Sequence, residues 1–106
     1  MLHTSEYTFT APGGTSVVQE VPDGTVWSAQ MTATATGAVT AAAVLEVTNT
    51  PANAASWRTL ATFNLAGSPS ANDSAVFTAA WKAYRWRGTG LTGTGAAASC
   101  AVCVGA

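Results

Sequence analysis

WSAQMTATATGAVTAAAVLEV, residues 27 to 47, is the stretch whose reading decides the fold. Its odd positions, Trp27, Ala29, Met31, Ala33, Ala35, Gly37, Val39, Ala41, Ala43, Leu45 and Val47, are all apolar or Gly. The even positions are mostly Ser, Gln, Thr and Glu46, interrupted by Ala38, Ala42 and Val44. The period is two, so the segment reads as β. It is too long for one straight strand, and Gly37 is the natural place for the chain to turn back. A two-residue loop would flip the inward parity, whereas a three-residue loop of Thr36, Gly37 and Ala38 keeps it. The stretch therefore predicts a hairpin pairing Ala35 with Val39, Met31 with Ala43, Ala29 with Leu45 and Trp27 with Val47. The usual three-residue loop places Gly last, so a longer loop with the same pairing is the alternative.

The chain around this stretch has 106 residues, enough for one domain with its own core. Nearly half the residues are apolar, but much of that is Ala, and the large core formers include only four Trp, three Phe and two Tyr. The core should be thin, as between two sheets packed face to face, with the aromatics supplying much of the burial. Burying roughly 200 Å² of a Trp is worth about 5 kcal/mol before entropy is counted. Charged residues are 8% of the chain, where a free monomer carries about a quarter. Such a surface suits a chain held against other protein, although a composition inherited from a GC-rich genome gives part of the same signal. The net charge of −1 and the lack of a basic stripe exclude a nucleic-acid partner. Residues 1–5 have no basic start and no apolar run follows, which predicts neither an export signal nor a membrane span.

Turn residues divide the rest into short β segments. Tyr7 and Phe9 alternate with Glu6, Thr8 and Thr10, making residues 1–12 an N-terminal arm lying on a neighbour or an edge strand. Residues 13–106 form a single sandwich domain. Pro12, Gly13 and Gly14 end the first segment, and Pro22, Asp23 and Gly24 end a second, residues 15–21, with Val17 and Val21 on one side. After a loop over 48–56, with at most one helical turn at 53–57 or 79–84, residues 57–65 alternate Trp57, Thr59, Ala61, Phe63 and Leu65 on one face. Residues 66–73 read as a loop, 74–81 as a short strand, 84–91 as a strand, and 96–104 as the last strand after a wide Gly-rich turn. About eight short strands with turns roughly every ten residues predict an all-β antiparallel sandwich, jelly-roll-like.

No catalytic constellation is present. His3 is the only histidine and lies at a terminus, the carboxylates are scattered, and the glycines near the end do not lead a strand into a helix. Cys100 and Cys103 sit three apart on a strand, hence on opposite faces. That spacing predicts two reduced thiols in a protein folded in a cytoplasm, and no CxxC metal or redox site. The sequence therefore predicts a non-enzyme without cofactor or metal.

The polar feature with most content is the cluster Trp81, Lys82, Tyr84, Arg85, Trp86, Arg87. With Tyr84 and Trp86 inside, Arg85 and Arg87 point outward on one face, two fork-shaped donors suited to a partner's carboxylates or carbonyls. Solvated charges keeping a strand soluble are the plain alternative. Turning the Trp residues outward as a sugar-stacking platform is the weaker assignment, because so small a core cannot spare them. Tyr7, Phe9, Arg58, Arg85 and Arg87 are the candidate partner-binding residues.

VLEVTNT (residues 44–50), WRTLATFNLAG (57–67) and AWKAYRWRGTGLTGTGAAASCAVCVGA (80–106) together resemble small β-sandwich structural proteins of tailed-bacteriophage virions. Those carry an E-V-[ST]-N strand, a W-x-T-[LI] strand, a W-K-x-Y-R strand and a T-G-T-G loop. The matching positions are Glu46 to Asn49, Trp57 with Thr59 and Leu60, Trp81 to Arg85, and Thr92 to Gly95. The resemblance spans the C-terminal two thirds and implies a capsid decoration, or cement, protein. It implies self-association, as a trimer above all, and binding to the major capsid protein on the virion surface after synthesis in the host cytoplasm. Other readings are a carbohydrate-binding or tail-fibre module and a tail or neck component.

Overall fold

The computed structural model describes residues 3–21, 26–78 and 80–105. Eight strands follow in order: β1 (His3–Phe9), β2 (Gln19–Glu20), β3 (Val26–Thr34), β4 (Val39–Thr48), β5 (Arg58–Gly67), β6 (Ser70–Thr78), β7 (Ala83–Thr92) and β8 (Ala97–Gly105). A single 3-10 turn, Ala54–Ser56, joins β4 to β5, and the Asn53 side chain accepts from the Ala55 N–H at its start. The strands form two antiparallel sheets, ordered β1-β8-β3-β6 and β2-β7-β4-β5. All connections except β4 to β5 cross between the sheets. This interleaving is the jelly roll, the two-sheet form of the sandwich that the alternation predicted.

Inward parity in the deciding stretch is as the sequence predicts, but the hairpin is not formed. From Trp27 to Val47 the odd positions of β3 and β4 are buried. The two strands nevertheless lie in different sheets, and residues 35–38 carry the chain across the sandwich. Trp27 pairs with Phe77 and Val104, and Val47 with Arg58 and Tyr84. A chain that leaves one inner face and enters the opposite one keeps its parity just as a three-residue hairpin would. Alternation reports which way a side chain faces the core and is silent about which strand lies beside it.

Irregularities in the ladders account for two further differences. Between β4 and β5 the register shifts from Leu45 opposite Ala61 to Glu46 opposite Thr59. The extra residue reverses the parity of β5, so Phe63 and Leu65 face the core while Trp57 emerges on the outer side. Between β4 and β7 the register shifts from Ala42 opposite Gly90 to Ala43 opposite Gly88, which transfers inward parity from Tyr84 and Trp86 to Leu91. Gly88 and Gly90 lie within the strand, as expected for residues 84–91. Residues 66–73, read as a loop, belong mostly to β5 and β6, with only Ser68 and Pro69 between them. The second segment forms just the two-residue β2, and Val17 is 78% exposed while Val21 is buried. The expected turn at 22–24 lies outside the described residues, as does Ala79 of the strand expected over 74–81.

The core is a single layer of side chains between the sheets. Trp27 meets Tyr84 edge to face at 5.6 Å, and Phe63 meets Trp86 at 5.8 Å. Ala29, Ala33, Ala41 and Ala43 fill the space among them, which keeps the molecule only 16 Å thick along its shortest axis. Cys100 and Cys103 do alternate across β8, the first buried and the second half-buried, and both are free thiols.

Candidate functional site

The outward row of β4 is unusual for a sheet surface, because Val44, Glu46 and Thr48 are buried although they face away from the core. Two local structures lie over the last two of them. The Ser56 hydroxyl accepts from the Thr48 hydroxyl and directs its single proton to the shared site between the carbonyls of Asn53 and Thr50, so the 3-10 turn folds down over the end of β4. Beside it Trp57, turned outward by the β5 bulge, lies under the Arg85 guanidinium, 4.2 Å from the ring centroid. A guanidinium over an indole gains both dispersion and attraction to the ring face.

Glu46 is the centre of this arrangement. Arg85 stands opposite it on β7 and donates Nε–H to Glu46 Oε1 at 2.9 Å. Arg87, two residues on and on the same face, approaches Glu46 Oε2 with Nη2 at 3.6 Å. One carboxylate thus serves two guanidiniums, and the cluster retains a positive charge. The charge is most accessible at Arg87, whose side chain is 47% exposed against 26% for Arg85. The cluster pairs and presents charge; it contains no nucleophile and no proton-transfer partner.

Tyr84 and Trp86 are inside while Arg85 and Arg87 face out, as strand alternation predicts. The remaining candidates are dispersed. Arg58 is exposed at the first position of β5. Tyr7 stacks on Phe9 at 5.7 Å, and Phe9 is buried, its ring lying over Gly88 where a Cβ would come within 3.0 Å. Residues 3–9 are hydrogen-bonded to β8 along their length as the edge strand β1, so Phe9 serves this chain's own core. His3 Nε2 lies 3.1 Å from the Tyr84 hydroxyl, which also bonds the Ser5 hydroxyl. Burial raises the Tyr84 pKa above its usual value, the Ser5 bond works against this, and the nearby Cys103 adds slightly to the rise. Burial pushes the Cys100 thiol up to about 12. Trp27 and Trp86 are fully buried, and Trp57 and Trp81 are half-buried. Glu46 was missed in sequence, because its role depends on β4 lying beside β7, a neighbour relation that alternation does not carry.

The other sheet presents a contrasting face. The outward positions of β1, β8, β3 and β6 are Ser, Thr, Ala, Gln, Asn, Val and Cys103, with Glu6 the one charged residue among them. A shallow groove of about 440 Å³ runs across the middle of this face, where Ala101 lies between Glu6 and Gln30.

No family model matches the chain, and no curated protein sequence does. Among solved structures it is similar to the SPBc2 prophage-derived protein YomS, with a TM-score of 0.56 at 11% identity over 99% of this chain and 96% of that one. It is also similar to PirA, with a TM-score of 0.51 at 14% identity over 93% and 90% of the two chains. A third similar structure comes from the Bacillus endospore appendages that form disulfide-linked pili, at 0.50 and 11% over 97% and 84%. At these identities the shared property is the fold. A prophage-derived protein of the same extent therefore has this jelly roll.

Proposed function

We propose that this protein is a non-enzymatic structural component of a bacteriophage virion, a capsid decoration protein that associates with itself and binds the major capsid protein on the head surface. The observation carrying this reading is a jelly roll coextensive with that of a prophage-derived protein, in a chain of which only 8% of residues are charged. The sequence motifs point to the same class. The ion-pair cluster of Glu46, Arg85 and Arg87 has a fixed geometry that offers charge to a partner and contains no reacting group. Each copy needs only a modest contact, because repetition on a lattice raises the effective concentration of every further contact.

Gold-labelled antibody against the protein, applied to virions and viewed by electron microscopy, tests this. Label distributed over the head supports decoration. Label confined to the tail or neck replaces it with a component of those parts, and unlabelled particles refute a virion role. Trimeric association is the expected solution state, read as mass by sedimentation equilibrium.

A further inference from the structure

The charged side chains are unequally divided between the two sheets. Each of the chain's four basic residues lies in the β2-β7-β4-β5 sheet or next to it: Arg58 on β5, Arg85 and Arg87 on β7, and Lys82 just before β7. Glu46 and Glu20 are the acids of that sheet. The β1-β8-β3-β6 sheet has no lysine or arginine; its charges are the exposed Glu6 and Asp73. The sandwich is therefore electrostatically polar from one layer to the other, acidic on the first sheet and basic on the second.

The acidic layer is also the barer one. Four strands of about nine residues, at roughly 3.3 Å per residue and 4.8 Å between strands, make a face of about 30 by 19 Å. That flat footprint, about 570 Å², is about 70% of the roughly 800 Å² that each partner contributes to a standard interface, the size of a weak contact that gains by repetition. Short side chains and a shallow groove leave it accessible to a flat partner. A free monomer would ordinarily cover such a face with mixed charge.

We propose that this face is covered by a second copy of the chain, with the β1-β8-β3-β6 face of one molecule against the β2-β7-β4-β5 face of the next, Glu6 opposite Arg87. Two like faces meeting would set two surfaces whose outward charge is acidic against each other and leave the positive charge of the arginine cluster unmatched. Unlike faces meeting pair the one outward carboxylate of the first sheet with the guanidinium that Glu46 holds least closely. The buried area supplies the affinity, and the charges select the orientation. Such a contact is heterologous, so repeating it closes a ring or extends a filament. The inference rests on the self-association included in the proposed function and specifies the surfaces that mediate it.

Sedimentation velocity of the intact protein in 50 and 500 mM salt, with the variants Glu6→Lys, Arg87→Glu and the double variant, tests it. The wild type assembles, and more weakly in high salt. Each single reversal raises the dissociation constant at least tenfold, and the double reversal, which restores opposite charges across the contact, recovers most of the loss. Glu6 is an exposed residue on a regular strand, so Glu6→Lys alone decides the matter should Arg87→Glu lose its near-ultraviolet dichroism. Assembly of Glu6→Lys equal to wild type overturns this contact and leaves self-association standing. Folded single variants that dissociate without recovery in the double variant overturn it as well. A monomeric wild type overturns both the contact and the self-association from which it starts.

Discussion

Replacing Glu46 by Gln tests whether the outer face of the β2-β7-β4-β5 sheet is held by one carboxylate between two arginines. The substitution keeps the shape and one acceptor oxygen but removes the charge. Glu46 is 9% exposed, so its 2.9 Å bond from Arg85 is charge-assisted and largely screened from water. Such bonds contribute about 1.5–3 kcal/mol, and breaking a fully buried pair costs about 3–5 kcal/mol. Both arginines are partly exposed, at 26% and 47%, which places the expected loss near the lower figures, about 2 kcal/mol. In a domain of this size that lowers Tm by about 8–12 °C. The measurement is urea unfolding of wild type, Glu46→Gln, Arg87→Ala and the double variant. With Glu46 present Arg87 has a carboxylate within 3.6 Å; without it Arg87 lies beside an unpaired Arg85. Arg87→Ala should therefore cost stability in wild type and cost less, or even help, in Glu46→Gln. A loss under about 0.5 kcal/mol for Glu46→Gln, or additive effects in the cycle, would refute the idea that the cluster is one electrostatic unit.

Three further outcomes follow from the packing. Gly88→Ala places a methyl within 3.0 Å of three Phe9 ring atoms and should cost about 1–3 kcal/mol in urea unfolding, with Phe9→Leu recovering part of the loss through its more adaptable side chain. Trp27→Ala empties the centre of the core beside Tyr84 and should cost about 3–5 kcal/mol, read from the shift in denaturation midpoint. The Cys100 thiol stays protonated in the native state up to about pH 12 and ionises near 9 when unfolded, so its contribution is intact below pH 9 and is lost as pH rises toward 12. Stability should therefore fall between pH 9 and 11 more steeply in wild type than in Cys100→Ala, and a thiol reagent at pH 8 should modify one cysteine in the native protein and two in urea.

The architecture was legible where the alternation was clean. The odd residues from Trp27 to Val47, and Ala98, Cys100, Val102 and Val104, announce one buried face each, and these positions are the core. What could not be read was adjacency. A hairpin and a crossing between sheets impose the same parity on residues 35–38, so the apolar pattern selects neither. Within the long strands parity failed where a strand gains a residue, at Leu60 and at Thr89, and outside them at Val17, which is exposed although Val21 is buried. At the first of these the consequence reaches the candidate site, since it delivers Trp57 to the outer face under Arg85. The arginine cluster was thus half visible: alternation within β7 placed Arg85 and Arg87 together, while Glu46 and Trp57 joined them through ladders that a single sequence does not specify.

β7 links the core to the surface through its alternation. Its even residues Tyr84 and Trp86 stand in the most buried part of the core, and its odd residues Arg85 and Arg87 stand outside it. The guanidiniums are consequently carried by a strand fixed on both sides, by β4 along its length and by the 13–21 segment through Gly13 N–H to Gly88 O, Ser16 N–H to Trp86 O and Val21 N–H to Lys82 O. Glu46 and the Trp57 ring restrict the arginine heads themselves. A partner that binds here meets groups already ordered, so little conformational entropy is lost on contact. The same exposed arginines on a mobile loop would lose most of their net interaction to that ordering. A cluster of only three charges, on a chain of which 8% of residues are charged, is for this reason suited to orienting the contact proposed above.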